Sequence, residues 1–212
     1  QTHMAPRIEE ATRKQFPDGI DQFGADALRM TFAALATTGR DVRFDLGRIE
    51  GYKNFCNKLW NAARYVLMNT EALDDGDVEF SAADRWIRAR LDETTRAMHR
   101  HFASYRLDLA AQAIYEFTWH EFCDWYLELS KATLQSEDGA VSAATRHTLL
   151  HVLETTLRAL HPIMPFITEE LWQLIHARKG GESISVSDFP ELKKELIKPE
   201  ADAEMETVQN IV

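Results

Sequence analysis

The stretch Asn54–Asn69, "NFCNKLWNAARYVLMN", decides how the chain folds. It is rich in helix formers and has no proline or glycine. Ile49, Tyr52, Cys56, Leu59, Ala63 and Val66 recur at steps of three and four, the spacing of an apolar seam along one side of a helix. Phe55, Trp60 and Leu67 flank this seam and are expected to widen the buried stripe. Asn54, Lys58, Asn61 and Tyr65, also spaced by four, three and four, form a second stripe facing away from the seam, with Arg64 at its edge. An ordinary solvated face carries Glu/Lys pairs, whereas this one carries amides, a cation and an aromatic ring. A ring can stack on an unpaired base, and an amide offers both donor and acceptor to a base edge. The stripe therefore points to a reader of single-stranded nucleic acid, with a plain solvated face as the alternative.

Outward from this helix the pattern remains helical. A short helix is expected over Ile8–Gln15 and a second from Ala25 to about Thr37, closed by Gly39. The "NFCNKLWN" helix itself runs from about Arg48 to Asn69. Ser81, with Asp84 three residues on, has the form of a capping box and opens a helix to about Ala103. Another helix covers about Asp108 to Leu134. Ser142 is expected to open the next, which Pro162 and Pro165 stop. Thr168 is expected to cap a last one ended by Gly180 and Gly181. "ESISVSDFP" (Glu182–Pro190) alternates, as a short strand or extended arm would. Long helices joined by short loops predict an all-α fold, an antiparallel helix bundle.

Composition narrows the function. The net charge of −10 is not that of a general nucleic-acid binder. From Arg40 to Arg64, however, six Lys/Arg stand against three acids. That leaves a local excess of +3, which a phosphate within a Debye length of about 8 Å would feel. Two cysteines, Cys56 and Cys123, supply neither a disulfide framework nor a four-cysteine zinc site. No run of apolar residues is long enough to span a membrane. His147 and His151 lie one turn apart but lack the glutamate of a zinc-protease motif and an evident third ligand, so no metal is expected. The Cys123/His120 pair sits among aromatics, as core residues do, with Asp124 and Glu128 expected to pair with arginines of neighbouring helices. His161 is placed to satisfy a helix-end carbonyl. No catalytic residue is assigned.

Four motifs in order, "GADALRMTFAALATTGRD" (Gly24–Asp41), "FDLGRIEGYKNFCNKLWNAARYVL" (Phe44–Leu67), "FTWHEFCDWYLELSK" (Phe117–Lys131) and "HPIMPFITEELWQ" (His161–Gln173), carry a resemblance. The chain resembles the helical anticodon-binding region of the valine/isoleucine/leucine/methionine group of class I aminoacyl-tRNA synthetases, with the bacterial valine branch nearest in "GRDVRFD" and "EFCDWYLELSK". The resemblance implies that the Asn-Lys-x-x-Asn helix lines the anticodon pocket. It gives base contacts to Asn61 and Tyr65, the latter by stacking, with Asn54, Lys58, Arg64 and Arg48 in support. Lys131 becomes a candidate phosphate contact, the alternative being a solvated helix end. Arg40 and Arg43 become candidates at the anticodon stem, the alternative being ion pairs with Asp41 or Asp45.

The resemblance also implies partners and boundaries. The partner would be the anticodon loop and stem of tRNA-Val, bound by a cytoplasmic monomer. A protein-interaction module is the competing reading. Such synthetases use ATP and Mg through His-x-Gly-His and Lys-Met-Ser-Lys-Ser motifs, neither of which occurs in this sequence. No cofactor is therefore expected for the chain itself, which should be inactive in aminoacylation. Residues 1–40 would end the segment leading from a catalytic domain, 41–190 would form the bundle, and 191–212 would lead to a C-terminal coiled coil.

Overall fold

The computed structural model describes residues 5–15, 22–37, 45–71, 73, 78–175 and 181–191. Among them the regular elements are all helical: α1 (Ala5–Gln15), α2 (Ala25–Leu35), α3 (Leu46–Asn69), α4 (Ala82–Ala103), α5 (Leu107–Glu116), a π-helix (Phe117–Tyr126), α6 (Leu127–Leu134), α7 (Gly139–Leu160), α8 (Pro165–Ile175) and a 3-10 turn (Ile184–Val186). The expected all-α bundle is what forms. Arg40, Arg43 and residues 192–212 lie outside the described residues.

Local chemistry sets most boundaries. Ser81 and Asp84 make the full capping box, with the Ser81 hydroxyl accepting from the Asp84 N–H at 3.1 Å and the Asp84 carboxylate accepting from the Ser81 N–H at 2.9 Å. At its other end α4 closes in a Schellman turn. Arg106 N–H donates to His101 O at 2.8 Å and Tyr105 N–H to Phe102 O at 3.1 Å. Tyr105 takes the left-handed conformation, at φ 56°, that glycine usually supplies there. Asp45 caps α3, accepting from Gly47 N–H at 2.9 Å.

Several expected boundaries move. α7 starts at Gly139 behind an Asp138 cap, not at Ser142, which is buried inside the helix. α8 starts with Pro165 in its first turn, where a missing N–H costs nothing. Thr168 is therefore not a cap. It is buried, and its hydroxyl donates to Met164 O at 2.7 Å. The cap comes from elsewhere in the chain: the Asp26 carboxylate of α2 accepts from Phe166 N–H at 3.3 Å and Ile167 N–H at 2.6 Å. One turn later Arg29 donates to Ile163 O at 2.8 Å and Pro162 O at 3.2 Å. An acid at the start of α8 and a base at the end of α7 each match the local helix dipole. Glu182–Pro190 is not a strand. It holds the 3-10 turn, whose buried Ile184 faces the bundle while Glu169 accepts from Ser183 Oγ and Ile184 N–H. Phe189 then packs edge-on to His99 and Phe102.

One core joins α2 to α8. Met30 of α2 lies in it with Phe55, Leu59 and Val66 of α3, Trp86 and Leu91 of α4, Ile114 of α5, and Leu153 and Trp172 beyond. α3 and α4 each pack against both α7 and the π-helix. Tyr52 meets Tyr115, Phe55 meets Trp119 and Tyr65 meets Ser130, so α3 runs parallel to the continuous α5–π–α6 rod. α4 returns the chain between them, giving up-down-up-down topology.

The π-helix breaks the α-helical period. Phe117 and Phe122 are both buried although five residues apart, the repeat of an i→i+5 helix. Tyr126, one further turn on, is buried too and donates from its hydroxyl to the Asp84 carboxylate at 2.5 Å. Burial and the Asp84 charge push the Tyr126 hydroxyl well above its ordinary value, so its proton stays and the carboxylate remains the acceptor. Thr145 of α7 sits 3.2 Å from the same carboxylate, which ties α4, the π-helix and α7 at one buried point.

Candidate nucleic-acid interface

α3 buries Phe55, Leu59, Ala62, Ala63 and Val66 together with Ile49. The seam is the expected one turned toward Phe55 and Ala62, with the Phe55 ring against Tyr115 of α5 and Trp119 of the π-helix. Tyr52 and Cys56 become half-buried. Trp60 is not core: it lies at the far edge of the seam, 37% exposed. Asn54, Asn61 and Arg64 are exposed as expected, and Asn57 joins them. Arg48 is exposed on the first turn, close enough to Tyr52 that its charge partly offsets the upward push of burial on that phenol.

Two members of the outward stripe are not free in solvent. Lys58 pairs with Asp124 of the π-helix, and its ammonium sits 4.0 Å from the centre of the Trp119 ring. Tyr65 is half-buried, its hydroxyl 3.0 Å from Ser130 Oγ of α6. The Ser130 hydroxyl donates to Leu127 O at 2.8 Å, so Tyr65 is the donor in that pair. The phenol hydroxyl is thereby committed, and what Tyr65 can offer a ligand is its ring. Trp119 belongs to an aromatic column in which Tyr115 stacks on it at 5.6 Å and Phe55 lies 5.0 Å from Tyr115. Lys58 and Tyr65 therefore both reach from α3 to the neighbouring rod, Lys58 to the π-helix and Tyr65 to α6.

The carboxylates expected to meet arginines do not. Asp124 binds Lys58 and lies 3.3 Å from His120, while Glu128 binds Lys131 at 2.7 Å within one turn of α6. Lys131 is thus exposed but already partnered. The residues missed by sequence reasoning, Trp119, Asp124 and Ser130, carry no local signal for their roles. Their contacts depend on two helices running in parallel register. A cleft of about 470 Å³ between α4, α5 and the π-helix lies elsewhere; Arg90 in its wall forms ion pairs with Glu93 and Glu121.

Burial pushes the Cys123 thiol up to about 12 and the Cys56 thiol up to about 11, so both stay protonated and poorly nucleophilic. Among the described residues no three His, Cys, Asp or Glu side chains converge as metal ligands would, and no helix is long and apolar enough to cross a membrane. His161 bonds no helix-end carbonyl. Its Nδ1 meets Thr168 Oγ1 at 2.8 Å and its Nε2 meets Ser185 Oγ at 3.0 Å. Because the Thr168 hydroxyl proton goes to Met164 O, Nδ1 carries the ring proton, and burial lowers the basicity of that ring.

An all-helical bundle presenting an amide-, cation- and ring-lined helix defines a class, and comparison with known proteins gives it a name. Residues 84–212 match the anticodon-binding domain of tRNA ligase, and the chain belongs to that family. Valine–tRNA ligase of Legionella pneumophila (strain Lens) is 54% identical over 215 residues, covering 97% of this chain and 23% of that protein. Valine–tRNA ligase of Xanthomonas euvesicatoria pv. vesicatoria (strain 85-10) is 58% identical over 195 residues, covering 90% of this chain and 20% of that protein. The chain thus spans less than a quarter of the length of these curated relatives. In a crystal structure of the Agrobacterium radiobacter K84 agnB2 LeuRS with tRNA and LeuAMS, a similar fold covers 83% of this chain and 20% of that one, with a TM-score of 0.59 at 19% identity.

Proposed function

We propose that the chain is the anticodon-recognition part of a valine–tRNA ligase and that the outward side of α3 meets the anticodon loop of tRNA-Val. The observation that carries this reading is the arrangement on α3: exposed Asn54, Asn61 and Arg64 beside a Tyr65 ring whose hydroxyl is already bound to Ser130. Asn61 supplies hydrogen bonds to a base edge and Tyr65 a stacking face, worth about 1–3 kcal/mol per base. Arg64 and Arg48 supply charge, Lys58 contributes an ammonium already paired with Asp124, and Lys131 reaches phosphate only by leaving Glu128. Arg40 and Arg43 keep their role at the anticodon stem. ATP and Mg belong to a catalytic part with its own motifs, and the chain alone does not aminoacylate. It works as a cytoplasmic monomer, bounded as the resemblance implies.

The test is binding to a labelled RNA hairpin carrying the valine anticodon. Tyr65→Ala and Asn61→Ala should each weaken it by roughly tenfold. Unchanged affinity in both would remove these residues from the site, and valyl-tRNA formation by the pure chain would overturn the inactive assignment.

A protein-interaction module is favoured by one observation: Phe166 and Leu174 of α8 are 64% and 53% exposed. The same hairpin decides between the two, since a module that binds only protein retards no RNA.

A further inference from the structure

We infer that Asp124 is a specificity-determining positioning residue, which holds the Lys58 ammonium on the Trp119 ring and limits how strongly that cation grips any RNA backbone. The inference rests on the reading that α3 faces tRNA, and it deepens that reading. Lys58 extends from α3 across to the π-helix, where its side chain is 25% exposed and that of Asp124 is 43% exposed. The contact is therefore partly open to solvent. A pair this exposed adds little to folding stability. Its larger effect is on the field outside the protein.

An ammonium has three N–H donors. One is committed to Asp124, and the Trp119 ring lies under the same group at 4.0 Å. The cation is thus held at the π-helix, while Asn61, the next stripe residue along α3, stays exposed. The second oxygen of Asp124 lies 3.3 Å from His120 Nδ1. Lys58 and Asp124 together carry no net charge. A phosphate arriving near Lys58 meets a neutral pair, while a base edge placed against exposed Asn61 still meets its amide. Because every anticodon loop carries the same phosphates, muting the cation suppresses wrong partners more than right ones.

Replacing Asp124 by Asn keeps the shape and removes the negative charge. Lys58 then acts as a full cation, and one more counterion is released on binding. The slope of log K against log salt should steepen by about 0.7–0.9. At low salt the affinity for a hairpin with a mismatched anticodon should rise by roughly three- to tenfold, and that for the valine-anticodon hairpin by less, so discrimination falls. Asp124→Glu should restore slope and discrimination toward those of the unsubstituted chain. The double variant Asp124→Asn/Lys58→Met should lose the extra slope, which assigns it to Lys58.

Fluorescence anisotropy with both hairpins across a salt series, on the whole chain and these variants, reads all of this. Equal slopes and equal discrimination for the unsubstituted chain and Asp124→Asn would overturn the inference while leaving the tRNA reading intact. Failure of the unsubstituted chain to bind either hairpin at low salt would instead remove the tRNA reading beneath it.

Discussion

Two carboxylates lie on opposite sides of the same π-helix. Asp84, at the inner side, is 0% exposed and accepts from Tyr126, Ser81 and Thr145. Asp124, at the outer side, binds Lys58 and is open to water. The chemical group is the same, but the surroundings differ. Inside, water has been excluded, so each lost partner leaves a polar atom stranded. Outside, water replaces any partner that leaves, and the group is at liberty to tune a surface field. Folding stability should therefore depend on the first carboxylate, and recognition on the second.

The sharpest way to break that contrast is Asp84→Ala. It strands the Tyr126 and Thr145 hydroxyls and the Ser81 N–H, and leaves half-buried Arg88 without the nearby carboxylate charge. The expected loss is about 3 kcal/mol or more in chemical denaturation. A loss under about 1 kcal/mol would mean that the buried knot does not hold α4, the π-helix and α7 together. Asp26→Ala should come next, at about 1–2 kcal/mol, because it uncaps α8 from a mostly buried position. Asp124→Ala should change stability by no more than about 0.5 kcal/mol, the value for an exposed pair. A larger loss would place Asp124 with the structural acids.

The smallest effect concerns Asp108 at the start of α5. Arg106 donates to its two oxygens at 2.9 and 2.7 Å and holds that carboxyl down at about 2. The unfolded value is near 3.9. Stability from this group is therefore fully present above about pH 4 and is lost as pH falls through about 2. Asp108→Asn should flatten the dependence of melting temperature on pH across that window, read by calorimetry from about pH 5 downward. An unchanged profile would exclude this pair as a source of acid sensitivity.

Features set within one or two turns of chain are legible in the sequence. The Ser81/Asp84 box, the apolar seam of α3 and the exposure of Asn54, Asn61 and Arg64 follow from spacing of three and four, because an α-helix brings those positions together whatever surrounds it. Spacing also fails in identifiable places. It assigns Trp60 to the core, since periodicity gives the side of a helix but not how wide a sector its neighbours cover. Thr168 has the look of a cap because its hydroxyl is next to a helical run, whereas the donors of α8 are met by Asp26, some 140 residues away. The π-helix has no such signal either: only packing of Phe117, Phe122 and Tyr126 into one core fixes an i→i+5 register.

By itself, then, the sequence determined an all-helical bundle and the face of α3 on which amides and a guanidinium stand. Both are properties of single helices, where neighbours along the chain are neighbours in space. Tertiary structure alone decided that Lys58 is paired, that the Tyr65 hydroxyl is spent on Ser130, and that one of two similar carboxylates is buried while the other is not. Each of those depends on where a second helix lies and how much water it displaces, and no spacing within one helix encodes that.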